Sequence, residues 1–141
     1  MELGARPDGR HVYRSPAAVI LLDTNALIWL HHDDDRVSAL ARGVGRLYVS
    51  PATALELQFL VEVGRLRLRR NATVTQLVHD DRWALDDPPS AAWFEEAIGV
   101  VWTRDPFDRL LVAHARLRKW PLATGDRRLI AELRRGEYVE I

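Results

Sequence analysis

Residues 19–23 read VILLD, four apolar residues in succession closed by an aspartate. A strand with one wet face alternates apolar and polar residues, whereas an unbroken run marks a strand covered on both faces, as in parallel sheets flanked by helices. Parallel neighbours can be joined only by long crossovers, so a chain with this run must also supply helices between its strands. It does. TNALIWLHH opens a helix directly behind Asp23, and SALARGVG gives a second, short helix closed by glycines. LYVS at 47–50 reads as a second buried strand, followed by SPATALELQFLVEVG with Ser50 as N-cap, Pro51 at the first helical position and Gly64 as the stop. RLRLRR at 65–70 alternates in period two and predicts a short extended or edge segment. TVTQLVHD and PSAAWFEEAIG predict two further helices, with WALDDP as the connection between them. After VVWTRD, a helix is expected from Pro106 to about Lys119, then a last buried strand in WPLATGD, a helix in RRLIAELRR and a final strand in EYVEI. Strands alternating with helices predict an α/β fold with a central, mainly parallel sheet covered on both faces.

The chain has 141 residues, a length suited to one domain, here residues 19–141. It has no cysteine, which removes disulfides, thiolate metal sites and a cysteine nucleophile, and fits a reducing, cytoplasmic setting. Acidic and basic residues balance at 20 each, so any attraction for a polyanion must be local. All basic residues but Lys119 are arginine, whose planar fork suits phosphate. No stretch approaches the length of a membrane span, and residues 1–18 are expected to be a flexible leader or tag-like segment.

In open α/β sheets ligands collect beyond the carboxyl ends of the strands, near the point where strand order reverses. Asp23 closes VILLD, and Asp126 follows the strand in LATG. Glu56 stands in the second turn of a helix that starts at a strand's carboxyl end, and Asp108 lies in the first turn of its helix. Each has a plainer reading. Asp105, ahead of Pro106, is a good N-cap, Asp108 resembles the acidic partner of a capping box, and Asp126 can cap the next helix; such caps contribute about 1 kcal/mol each. Asp23 and Glu56 are harder to explain that way, because aspartate is a poor strand former and Glu56 lies within ALELQFLV. Four carboxylates on one rim would repel by about 4 kcal/mol per pair at ~4 Å in an effective dielectric of about 20, so a positive group belongs among them. Oxygen donors without cysteine or a histidine pair point to Mg²⁺ or Mn²⁺ rather than zinc.

The histidines read differently. HHDDD at 31–35 follows a helix end and reads as a solvated loop, and His114 shares an arc with Phe107, Leu110 and Leu117, the position of a core histidine. The tryptophans read as core or interface residues. On the helical wheel Asp105 shares a stripe with Arg109 and Arg116, free to cap the helix and pair with Arg109, while Asp108 borders the apolar face, where an unpaired carboxylate is costly.

DTN at 23–25, SPATALELQFLVEVGRL with Glu56, TRDPFDRLLVAHA with Asp105 and Asp108, and LATGDRRL with Asp126 together resemble the PIN-domain nucleases, and among them the VapC-type ribonuclease toxins of toxin–antitoxin pairs. The resemblance runs from about Val19 to Ile141. It implies a three-layer α/β/α sandwich, a Mg²⁺- or Mn²⁺-dependent endoribonuclease site, a homodimer, an RNA substrate and a cognate antitoxin protein. Carried onto this chain, the acidic set is Asp23, Glu56, Asp108 and Asp126. Asp23 and Asp108 are foremost as metal ligands, with Asp126 beside them. Thr24, Asn25 and Thr124 are expected to orient carboxylates through hydrogen bonds, with Asp105 as an outer acid. Arg109, Arg116, Arg127 and Arg128 are candidates to hold flanking phosphates, since a carboxylate site cannot attract a polyanion unaided. The segment before Val19 departs from the family's pattern. Three rivals compete. A non-catalytic interaction module of the same fold is the first. A phosphoacceptor domain wants a second acid by the first strand and a lysine after a late one, whereas Lys119 precedes its strand. An aspartyl phosphatase wants DxD, and position 25 is Asn25.

Overall fold

The computed structural model describes residues 18–43 and 45–141 in full, and residues 2–5 and 11–14 through their backbone. Strands β1 (Glu2–Ala5) and β2 (His11–Arg14) pair antiparallel with each other and not with the main sheet. The other residues of the expected leader, apart from Ala18, lie outside the described residues.

The main sheet holds β3 (Val19–Leu22), β4 (Arg46–Val49), β5 (Ala84–Leu85), β6 (Leu122–Thr124) and β7 (Tyr138–Glu140) in the order β5-β4-β3-β6-β7. Every pairing in it is parallel. The apolar run behaves as its pattern requires. Leu21 and Leu22 are both fully buried, yet on opposite faces: Leu22 packs with Leu27, Val49 and Leu57, and Leu21 with Val112, Leu122 and Leu129. From β3 the chain moves outward to β4 and β5, then returns to the other side of β3 as β6 and β7. The reversal of strand order therefore falls between β3 and β6, where a ligand crevice is expected.

Helices α1 (Thr24–His31), α2 (Ser38–Ala41), α3 (Pro51–Glu62), α4 (Val74–Val78), α5 (Ser90–Ile98), α6 (Pro106–Arg118) and α7 (Arg127–Glu132) connect the strands. Ser50 caps α3 through Ala52 N–H, and Thr73 and Gln76 form a capping box on α4. Small residues let α5 lie close on α6, where Ala97 and Ala113 pack with Trp93, and Trp93 Nε1 donates to Leu110 O at 2.8 Å.

The structure refines two local readings. RLRLRR is not a strand: Leu66 and Leu68 turn into the core, and Arg69–Asn71 form a 3₁₀ turn with Arg70 at φ 57°. Burial of the alternate leucines, not pairing, explains the alternation. WALDDP is not a plain connection, because Ala84–Leu85 adds an edge strand beside β4. Two exposed residues are too short a stretch to carry a strand pattern. Among the described residues no helix is long and apolar enough to cross a membrane.

Candidate active site

Asp23 is the first residue beyond β3. Its Oδ1 accepts from Ala26 N–H at 2.7 Å and caps α1, the Thr124 hydroxyl bonds its carboxylate, and only 4% of the residue is exposed. Asp126 follows β6 by one residue and caps α7: Oδ1 accepts from Arg128 N–H at 2.9 Å, while its own N–H donates to Thr124 Oγ1 at 3.0 Å. Thr124 is fully buried and so ties together the two acids at the switch point. Between them Gly125 leaves no room for a side chain, since a Cβ there would stand 3.0 Å from Ile141 O and 3.3 Å from the Trp29 ring.

Glu56 reaches the same place from the second turn of α3. The Thr24 hydroxyl donates to its Oε1, and Thr24 Oγ1 also lies 3.3 Å from that of buried Thr53. Asp105 caps α6, its Oδ1 accepting from Phe107 N–H at 2.8 Å and Asp108 N–H at 3.2 Å. Asp108, half-buried, completes the group from the first turn of α6.

All five carboxylates, with Thr24 and Asn25, line one cleft of about 210 Å³ whose apolar walls include Leu60, Leu111 and Leu129. Capping and a role in the cleft are not alternatives here. Asp23, Asp105 and Asp126 each cap a helix through Oδ1 and line the cleft as well.

The enclosure perturbs the acidity of Asp23, Glu56 and Asp108. Burial is the main cause raising Asp23 to about 6, with Asp126 and Glu56 adding to it and the Thr124 and Ala26 bonds opposing. Asp108 is also raised to about 6, by burial first and then by Asp105, Asp126 and Glu56, with Arg128 opposing. Burial raises Glu56 as well, opposed by the Thr24 bond and reinforced by Asp105. Among the described residues no three His, Asp or Glu side chains already form a cation cage. The donor set itself is hard oxygen, acidic and short of positive charge, the chemistry that suits a small divalent cation.

The arginines separate. Arg128 lines the cleft, with Nη2 at 3.4 Å from Asp126 Oδ2. Arg116 stands eight residues beyond Asp108, about 12 Å along the helix, and binds Glu137 at 3.0 Å through Nε. Arg127 extends into solvent near Glu140 at 3.8 Å. Arg109 does not pair with Asp105; its Nε donates to Thr103 O at 2.7 Å. Nor does Asp108 complete a capping box, because Asp105 N–H donates to Thr103 Oγ1. His114 is a core histidine, fully buried, with Nε2 2.7 Å from Asp86 Oδ2. HHDDD forms a surface network in which Arg69 binds Asp33 at 2.9 Å and Arg69 N–H donates to His31 Nε2. Thr53 was not legible as a site residue. Its one signal is its place a turn before Glu56 on α3.

A parallel α/β sheet with an acidic cleft at its switch point defines an open α/β fold with its ligand crevice at the carboxyl ends of the strands. The PIN domain model matches residues 20–135, so the chain belongs to the PIN domain family. The fold is similar to VapBC2 from Rickettsia felis bound to a DNA fragment from their promoter, with TM-score 0.61 and 15% identity over 86% of this chain and 98% of that one. It is similar also to a toxin–antitoxin complex from Klebsiella pneumoniae, with TM-score 0.60 and 17% identity over 85% and 95%. The PIN domain endonuclease Utp24 gives TM-score 0.56 and 18% identity over 90% and 87%. No curated protein matches by sequence.

Proposed function

We propose that this chain is a Mg²⁺- or Mn²⁺-dependent endoribonuclease, the toxin half of a toxin–antitoxin pair, acting in the cytoplasm. One observation carries the reading: five carboxylates from separate segments line one cleft, and Asp23 and Asp108 are both raised to about 6 there. Asp23, Asp108 and Asp126 would hold the cation, which when bound supplies activated water near neutral pH and counters the charge of the scissile phosphate.

The chain's own residues prepare the site. Capping bonds fix one oxygen of Asp23 and one of Asp126, so both carboxylates are held before any substrate arrives. Thr24 holds Glu56 at the cleft wall, and a carboxyl raised by burial is suited to take a proton from water. Arg128, beside Asp126, is placed to meet a phosphate oxygen. The leucine walls lower the local dielectric and strengthen each of these interactions.

RNA as substrate and an antitoxin as partner are supported by the resemblance of the four acidic segments to VapC-type toxins, and the partner also by a fold relative solved as a toxin–antitoxin complex. Exposed Leu55 and Phe59 on α3, and Phe94 and Ile98 on α5, offer apolar surface for a homodimer. The same surface favours the rival reading, a non-catalytic interaction module. Cleavage of mixed cellular RNA in Mg²⁺, in Mn²⁺ and in EDTA separates the two. Wild type should cut only with metal, and Asp23→Asn and Asp108→Asn should not cut. Cleavage by both variants, or by none of the proteins, would overturn the assignment.

A further inference from the structure

The segment RLRLRR follows the C-terminal cap of α3, the helix that brings Glu56 and Leu60 to the acidic cleft. Arg65 N–H and Leu66 N–H both donate to Leu60 O, at 2.9 and 3.2 Å, and Leu60 lines the cleft. Leu66 and Leu68 anchor the segment in the core, leaving Arg65, Arg67, Arg69 and Arg70 exposed. Arg65 and Arg67 stand exposed on either side of partly buried Leu66, and Arg67 lines a groove with Gln58 and Val61 of α3. At the far end Arg69 is a strut: its N–H donates to His31 Nε2 and its guanidinium binds Asp33. Arg70 and Asn71 follow in left-handed backbone, φ 57° and 53°, a conformation that bulky residues adopt only where their surroundings enforce it. Among the described residues Arg65, Arg67 and Arg70 make no ion pair, and Glu62, the neighbouring acid in sequence, accepts from Gln58 Nε2 at 3.0 Å.

We propose that Arg65, Arg67 and Arg70 form a phosphate-binding ridge that leads single-stranded RNA away from the cleft. The inference rests on the endoribonuclease reading and supplies what that reading lacks. A cleft ringed by carboxylates on a chain of zero net charge repels a polyanion. Arg109, Arg116 and Arg127 do not line it, and the first two are held by other partners. The ridge starts at the end of α3, the helix whose Glu56 and Leu60 line the cleft, so a strand that leaves the cleft along that helix reaches it. That continuity favours the substrate over an acidic protein segment.

The test compares wild type with the triple variants Arg65→Gln/Arg67→Gln/Arg70→Gln and Arg65→Lys/Arg67→Lys/Arg70→Lys. Binding of a fluorescein-labelled oligouridylate and of labelled polyglutamate is measured in EDTA across a KCl series. Thermal unfolding verifies that each variant keeps its fold. The glutamine variant should bind RNA about tenfold or more weakly, and its log–log salt slope should fall by about 2, near 0.7 for each phosphate that the arginines no longer neutralise. The lysine variant should keep most of that slope, and polyglutamate binding should change little. Unaltered RNA affinity and slope in the glutamine variant would overturn the ridge. So would an equal or greater weakening with polyglutamate, which would make it a protein-docking surface. The two readings fail separately: RNA cleavage by wild type with no ridge effect sinks only the ridge, and ridge-dependent binding without metal-dependent cleavage sinks only the nuclease.

Discussion

Replacing Asp23 with asparagine should stabilise the protein at neutral pH while removing its activity. Asp23 is raised from 3.8 to about 6, chiefly by burial, so the folded chain holds this proton more tightly than the unfolded chain does. The associated stability is fully present below about pH 4 and is lost as pH rises through about 6. Above that, the buried charge costs about 3 kcal/mol, a shift of about two pH units at ~1.4 kcal/mol each. Asparagine removes the charge at similar volume, and its Oδ1 can still accept from Ala26 N–H, since asparagine and aspartate cap equally well. In EDTA at about pH 8 the variant should therefore exceed wild type by up to about 3 kcal/mol, roughly 10 °C in Tm for a chain of this size. The advantage should vanish near pH 4. Urea unfolding of both proteins across this range measures the difference directly. Saturating Mn²⁺ should narrow it by stabilising wild type, by about 2.7 kcal/mol at a hundredfold excess over Kd. A variant that is less stable than wild type at pH 8, or a difference independent of pH, would refute both the sign and the cause assigned to Asp23.

Thr24→Val removes the hydroxyl that holds Glu56, and single-turnover cleavage should slow by about tenfold to a hundredfold with a stability loss near 1 kcal/mol. Gly125→Ala places a methyl against Ile141 O and the Trp29 ring, so unfolding should report about 1–3 kcal/mol of destabilisation, and cleavage should fall because Thr124 and Asp126 flank the displaced residue. Burial alone would raise Asp86, but the Arg118 and His114 bonds outweigh it and hold its carboxyl below the usual range. Its contribution to stability is thus present above about pH 4 and lost as pH falls further. Asp86→Ala should cost about 2–4 kcal/mol in urea at pH 7 and flatten that acid limb, because buried His114 loses its partner.

Much of the site was readable because it is built from local rules. A strand that ends in aspartate, followed at once by a helix, leaves the carboxylate at the rim and gives it the cap. Asp23, Asp105 and Asp126 all cap the helix that follows them. Glu56 and Asp108 stood out because charge interrupts an apolar helix face. The arginines were less legible, since a guanidinium on a helix surface carries no periodic signal of the partner it will find. Arg128 lies in the cleft, whereas Arg116 joins Glu137, 21 residues away in sequence.

Sequence by itself determined the parallel, doubly covered sheet, because burial on both faces demands an unbroken apolar run, and it determined which acids stand at strand and helix ends. Tertiary structure alone decided the rest: the edge strand Ala84–Leu85, the Thr53–Thr24–Glu56 chain, the inward turn of Leu66 and Leu68, and the distance of Arg116 from the cleft. The physical reason is range. Burial and capping act between neighbours in the chain, whereas strand pairing, side-chain hydrogen bonds and the elevation of Asp23 and Asp108 by burial and by the acids around them depend on groups that meet only once the chain has folded.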